Sequence, residues 1–273
     1  MSGVESIGVC YGDVGDNLPP PNDVVGLYLS KNIGAMRIYF PDHGALEALR
    51  GTNIGVIVDV ANSDIPNLAN DASAAFGWVY ANIVPFSNVA IRYIAVGNEI
   101  IPSDIAQFVL PAMHNIQNAI NAAGLQNQIK VSTSVSTGVL GVSYPPSAAI
   151  ECTLSSCRRG PLFRRPSAIS NLLMPSSMLS TRRLKRWELA ACVVVSESGW
   201  PSDGGDAHLR ENAQAYVRNL IGHVRKGTPK RRGNIEAYIF AMFDEDKKQP
   251  QGTENHYGIF HPNKQPKYNL NFY

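Results

Sequence analysis

The chain has no apolar run approaching the roughly 18 residues that a membrane-crossing helix needs. Its first residues, MSGVES, lack the basic-then-apolar pattern of a secretory leader. No membrane partner and no leader within the chain as written are therefore expected. There is no GxGxxG and no GxxxxGK[ST], so the usual cradles for nucleotide phosphates are missing. There is no HExxH and no CxxC. Six histidines are scattered, and Cys10, Cys152, Cys157 and Cys192 have no metal-ligand spacing. Neither a metal nor an organic cofactor is expected. The net charge is only +2 over 273 residues, but it is uneven. Residues 150–190 hold eight Lys/Arg against Glu151 and Glu188, which leaves sixteen basic and twenty acidic residues elsewhere. No aromatic interleaving accompanies this basic block, so a solvated segment is the better reading and no nucleic-acid partner is expected.

What is present is a repeated alternation of strands and helices. Strand candidates are SIGVCYG (6–12), GAMRIYF (34–40), IGVIVDV (54–60), IRYIAVGNE (91–99), IKVSTSV (129–135), CVVVSES (192–198) and IEAYIFAMFDE (235–245). Several are apolar on both faces, as strands of a covered parallel sheet must be. Helical patterns lie between them. Asp23 is placed to cap VVGLYLSKN. Asp104 opens a long amphipathic run closed by Gly124, and residues 207–226 are followed by Gly227. Strand–helix units at this spacing predict right-handed βαβ crossovers in a single α/β domain spanning 1–273. Seven strands are one short of a (β/α)8 TIM barrel. About 57 residues separate the fifth and sixth candidates, and no convincing strand is visible there. An open doubly wound sheet is the rival, although it usually brings a phosphate-binding turn.

Two strands end in glutamate, AVGNE at Glu99 and VVVSE at Glu197. In parallel barrels the C-terminal strand ends carry the catalytic groups. Apolar residues just before a carboxylate place it at the rim of the core, where burial raises one pKa while a neighbour stays ionised. Such a pair is what glycoside hydrolysis requires. Either glutamate alone could simply end a strand in solvent. Two of them, flanked by Asn98, Ser196 and Ser198, make that reading weaker. Trp200 could offer a face to a sugar ring or merely pack its loop. The FDEDKK cluster at 243–248 and Tyr39 end strands that would open on the same mouth.

Seven blocks in order give the chain a specific resemblance. IGVCYG (7–12), MRIYFPD (36–42), VGNEI (96–100), VLGVSYPPSA (139–148), VVVSESGWPS (193–202), EAYIFAMFDED (236–246) and HYGIFHPNKQPKY (256–268) are similar to blocks of the plant β-1,3-glucanases of glycoside hydrolase family 17. The resemblance implies a (β/α)8 barrel that hydrolyses β-1,3-glucan internally with retention and without a cofactor. It implies Glu99 as general acid/base and Glu197 as nucleophile. Asn98 would bond the sugar near the reacting centre, with Tyr39, Trp200, Phe243, Glu245 and Lys248 as further substrate-binding positions. It also implies a monomer secreted to cell wall or vacuole, acting in wall remodelling or defence. Two other readings stay open: hydrolysis of β-1,3-1,4-glucan, and a glucan-binding barrel without turnover.

Residues 150–191 depart from the family, whose members carry there a helix, a sixth strand reading like LLVNVYPYF, a cleft loop and a further helix. Permitted codons for Met174–Ala190, read from one nucleotide upstream, encode DAIVDAVYAALEAVGAG. That is an amphipathic helix of the kind the family places before VVVSESGW. Two steps are forced by the code: Met174–Pro175 must yield Ala, and Trp187–Glu188 must yield Gly. The stretch is read as out-of-frame or mis-spliced translation, with the frame restored by Val193. The barrel is accordingly expected to be incomplete or distorted around its sixth strand, and its activity weakened.

Overall fold

A computed structural model describes residues 7–136, 169–172, 194–205, 210–227 and 232–272. The strands are β1 (Ile7–Tyr11), β2 (Ala35–Ile38), β3 (Gly55–Val60), β4 (Ile91–Asn98), β5 (Lys130–Val135), β6 (Ile169–Leu172), β7 (Val195–Ser198) and β8 (Ala237–Ile239). They form one sheet in the order β6-β5-β4-β3-β2-β1-β8-β7, and every paired ladder is parallel. The helices are α1 (Pro21–Ser30), α2 (His43–Ala48), α3 (Ile65–Asn70), α4 (Ala72–Asn82), α5 (Ala106–Ala122) and α6 (Arg210–Lys226).

The strand sequences explain this arrangement. β1, β2 and β3 are buried along their full length, so both faces meet apolar neighbours. Alternate side chains enter different cores. Val9, Met36, Val56, Val58 and Ile94 join the large cluster between sheet and helices. Cys10, Ala35, Ile57, Tyr93, Ala95 and Tyr238 form a smaller cluster inside the curl. On α5 the buried residues Val109, Ala112, Met113, Ile116, Ala119 and Ile120 recur at helical spacing. Gly124 and Gly227 follow α5 and α6 with positive φ, as expected of helix ends.

The sheet differs from the sequence reading in several places. It has an eighth member: Ile169–Leu172, inside the departing segment, pairs in parallel with β5 from Ser132↔Ile169 to Val135↔Leu172. Four residues, ISNL, two of them polar, are too few to stand out by period. Among the described residues no ladder joins β6 to β7, so the barrel is incomplete where distortion was expected. β8 stops at Ile239, well short of Glu245, because the chain turns over the mouth: Met242 N donates to Cys10 O and Ala241 N to Tyr257 O. The helix starts shift as well. Asp23 lies in the first turn of α1 behind Pro20 and Pro21, and Ile105 rather than Asp104 precedes α5. The VLGVSYPPSA block and, apart from 169–172, the basic segment read as out of frame lie outside the described residues.

Candidate active site

The C-terminal ends of β2, β3, β4, β5 and β7 meet around one side chain that motif reading passed over. Arg37 of β2 is fully buried. Its Nη1 donates to Glu197 Oε1 at 2.8 Å and to the Ser196 carbonyl at 3.3 Å. Its Nη2 donates to Asp59 Oδ2 at 2.6 Å, Asn98 Oδ1 at 2.9 Å and Ser134 Oγ at 3.1 Å. Its Nε donates to Asp59 Oδ1 at 3.3 Å. Burial works against its charge, but Asp59, Tyr39 and Glu197 outweigh that effect, and the guanidinium is held well above its ordinary pKa. Burial pushes Asp59 up to about 6, with Arg37 opposing.

The geometry at the end of β4 sets Glu99. Its register with β5 shifts between Ala95 and Asn98, Gly97 has φ +88° and Glu99 itself has φ +54°. A Cβ on Gly97 would lie 2.5 Å from Ile100 Cδ1 and 2.7 Å from Ile65 Cδ1, so only glycine fits this bend. A non-glycine residue at positive φ is sparsely populated and clusters at functional sites. Two contacts hold it: Glu99 N donates to Ser134 O at 3.0 Å, and Asn98 is locked reciprocally to Asn62, N to Oδ1 at 2.8 Å and Nδ2 to O at 2.9 Å. Desolvation, then the charge of Glu197, raise the Glu99 pKa above the ordinary value. Arg37 opposes this and Glu254 adds to it. One carboxyl is thus biased toward its protonated form, while the other is paired with a cation. That is the division of labour between an acid and a nucleophile.

This coupling can be tested directly. A negative neighbour favours the protonated form of Glu99, so removing it lets Glu99 ionise at lower pH. In Glu197→Gln, a 13C NMR titration of the Glu99 carboxyl is expected to show a lower pKa than in the parent. An unchanged titration would mean that the two glutamates do not share a field.

The other expected positions divide. Tyr39 stands at the mouth, edge-on to Phe240 at 6.3 Å between ring centroids and 4.7 Å from the Arg37 guanidinium. Tyr257 meets the same Phe240 ring at 5.1 Å. Lys248 Nζ lies 4.0 Å above the Phe240 centroid and within 3.6 Å of Glu245 and 3.8 Å of Glu254. Glu245 is 3% exposed and accepts from Val14 N at 2.9 Å, so it braces Lys248 from below and presents no free edge to a sugar. Phe243 belongs to the core, not to a cleft wall: it is 2% exposed and edge-on to Tyr11 at 6.5 Å. Trp200 leans on Tyr216 of α6 at 5.7 Å and packs against the large core, the loop-packing alternative.

Arg37, Asp59, Glu254, Phe240 and Tyr257 were not singled out from sequence. A usable signal existed for the first two. A cation in GAMRIYF and an anion in IGVIVDV sit in strands apolar on both faces, and buried opposite charges must find each other.

A curled parallel sheet with a desolvated glutamate just after β4 and a cation-paired glutamate near the end of β7 is the arrangement expected of a two-carboxylate glycoside hydrolase. The comparisons narrow the class. The family description "Glycosyl hydrolases family 17" matches residues 7–155 and 185–272, and the chain belongs to that family. It is 42% identical to a glucan endo-1,3-beta-glucosidase of Vitis vinifera over 318 aligned positions, covering 99% of this chain and 92% of that one. It is 44% identical to an acidic isoform of Zea mays, again over 99% and 92%. Against the basic vacuolar isoform GLB of Nicotiana tabacum it is 42% identical over 100% and 86%. Among solved structures, a beta-1,3-glucanase and allergen of Cryptomeria japonica pollen superposes with a TM-score of 0.88 at 36% identity, covering 98% and 99%. A structure from a study of two plant beta-glucan endohydrolases with distinct substrate specificities gives 0.87 at 36%, covering 97% and 99%. The family match omits 156–184, within the segment read as departing. The alignment to the Vitis protein is longer than this chain, so that relative carries residues this one lacks.

Proposed function

We propose that the chain hydrolyses internal β-1,3-glucosidic bonds of β-1,3-glucans with retention of configuration. The observation that carries the reading is Arg37, which binds Glu197 with one nitrogen and the neighbour of Glu99 with the other. The names of the relatives supply the substrate class. A Glu197 oxygen bonds to the anomeric carbon as the glycosidic C–O bond breaks, and Glu99 gives its proton to the departing sugar oxygen. Glu99, now a carboxylate, takes a proton from water. The water oxygen bonds to the same carbon and Glu197 leaves. This double displacement needs carboxyls about 5 to 5.5 Å apart. No metal or organic cofactor enters the scheme.

Proton NMR of laminarin digests tests the reaction. The first hemiacetal formed is expected to be the β anomer, with α appearing only by later mutarotation. Initial release of α, or hydrolysis confined to mixed-linkage glucan, would overturn the reading. Turnover below that of the relatives is expected, because residues 150–191 replace a unit that lines the family's cleft. The name of one relative, a basic vacuolar isoform, also leads us to place the protein in the vacuole, and the resemblance to the family implies secretion as the other location, a monomer, and a role on wall glucan in defence.

A further inference from the structure

Asp59 takes no part in the chemistry above, yet it is a carboxylate only 1% exposed in β3. Its two oxygens grip one edge of the Arg37 guanidinium, at Nε and Nη2. A guanidinium is a rigid plane with five N–H donors in a fixed fork, so fixing one edge aims the rest. What remains of Nη2 points to Asn98 and Ser134, and Nη1 points to Glu197 and the Ser196 carbonyl. One cation therefore serves two carboxylates. The charged groups acting on Asp59 are Arg37 of β2 and Glu197 of β7. Tyr39, Cys10 of β1 and Glu99 are the further titratable groups around Arg37 and Glu197 among the described residues.

Resting on Glu197 as nucleophile, we propose that Asp59 is a positioning residue. Through Arg37 it sets both the aim and the nucleophilic strength of Glu197. With asparagine at 59, Arg37 keeps a partner of similar shape but loses a counter-charge. The cation then falls more fully on Glu197, which is held tighter and attacks more slowly.

The test is Asp59→Asn, assayed on laminarin and with a 2-deoxy-2-fluoro laminarioligosyl fluoride, which traps the glycosyl-enzyme and counts working sites. Per working site, kcat and the trapping rate are expected to fall about tenfold at unchanged KM, the scale on which groups orienting a reactive ligand act. A residue that only holds the fold would reduce the number of trappable sites and leave kcat and the trapping rate per site where they were; that result overturns the proposal. Should Asp59→Asn fail to fold, Ser134→Ala removes an uncharged acceptor from the same Nη2. About a twofold slowing of trapping at unchanged KM is expected, and no change overturns the proposal. If peptide mass spectrometry of the trapped parent finds the sugar elsewhere than Glu197, the nucleophile assignment has failed first.

Discussion

Glu197→Ala is expected to lose glucan hydrolysis by a factor on the order of 10⁵, the scale seen when a covalent nucleophile is removed. Glu197 is 19% exposed and held 2.8 Å from Arg37, so it can be truncated without breaking the apolar core. The folded fraction should therefore change little while kcat collapses. Azide can enter the space left by the side chain and attack the anomeric carbon from the same side. Partial rescue by azide, yielding an α-glucosyl azide from an activated β-glucoside, would identify the missing group as the nucleophile. Activity within tenfold of the parent, or rescue giving the β-azide, would place the nucleophile elsewhere. In the proposed mechanism Glu99 has the complementary role. Its loss should be smaller on substrates whose leaving group needs no proton, because general acid catalysis contributes about 10²–10⁴-fold only where a proton must be delivered.

Arg37→Met should be the most damaging substitution to the fold among the site residues. It removes the cation shared by Asp59 and Glu197 and leaves Asp59, 1% exposed, without its counter-charge. Breaking one side of a buried pair costs about 3–5 kcal/mol, or roughly a 10 °C fall in Tm for a domain of this size. The deficit should depend on pH in a defined direction. Asp59 already has a folded-state pKa raised to about 6, above its unfolded value, and losing Arg37 raises it further. A carboxyl raised in this way disfavours folding once the unfolded chain has ionised, and folding regains stability by binding a proton. The Tm gap between parent and variant should therefore be widest above the variant's raised Asp59 pKa and narrow as pH falls toward about 6, below which the parent's Asp59 binds its proton too and the gap stays constant. Calorimetry across that range checks this. A gap that widens in acid, or no gap at all, would mean that the Arg37–Asp59 pair does not hold the site together.

The alternation of strands buried on both faces with amphipathic helices was legible because each element's period follows from local geometry alone. The two glutamates were legible because apolar runs ended at them, and strand ends in a barrel share one mouth. The gap in the barrel was legible as a stretch of sequence without period. Its partial filling by Ile169–Leu172 was not, because four residues carry too little pattern to announce a strand. Phe243 and Glu245 were misjudged for a related reason. An apolar run ending in acids looks like a strand exit, whereas the chain had already turned at Phe240 and folded both side chains inward.

The sequence by itself determined the fold class and the family and singled out the two carboxylates proposed for the chemistry, since local periodicity and ordered motifs carry that information. Only the tertiary structure decided that Arg37, 160 residues from Glu197, joins it to Asp59 and Asn98. The closing of a sheet on itself brings distant strand ends together, and nothing in the spacing of residues along the chain records which charges will meet there.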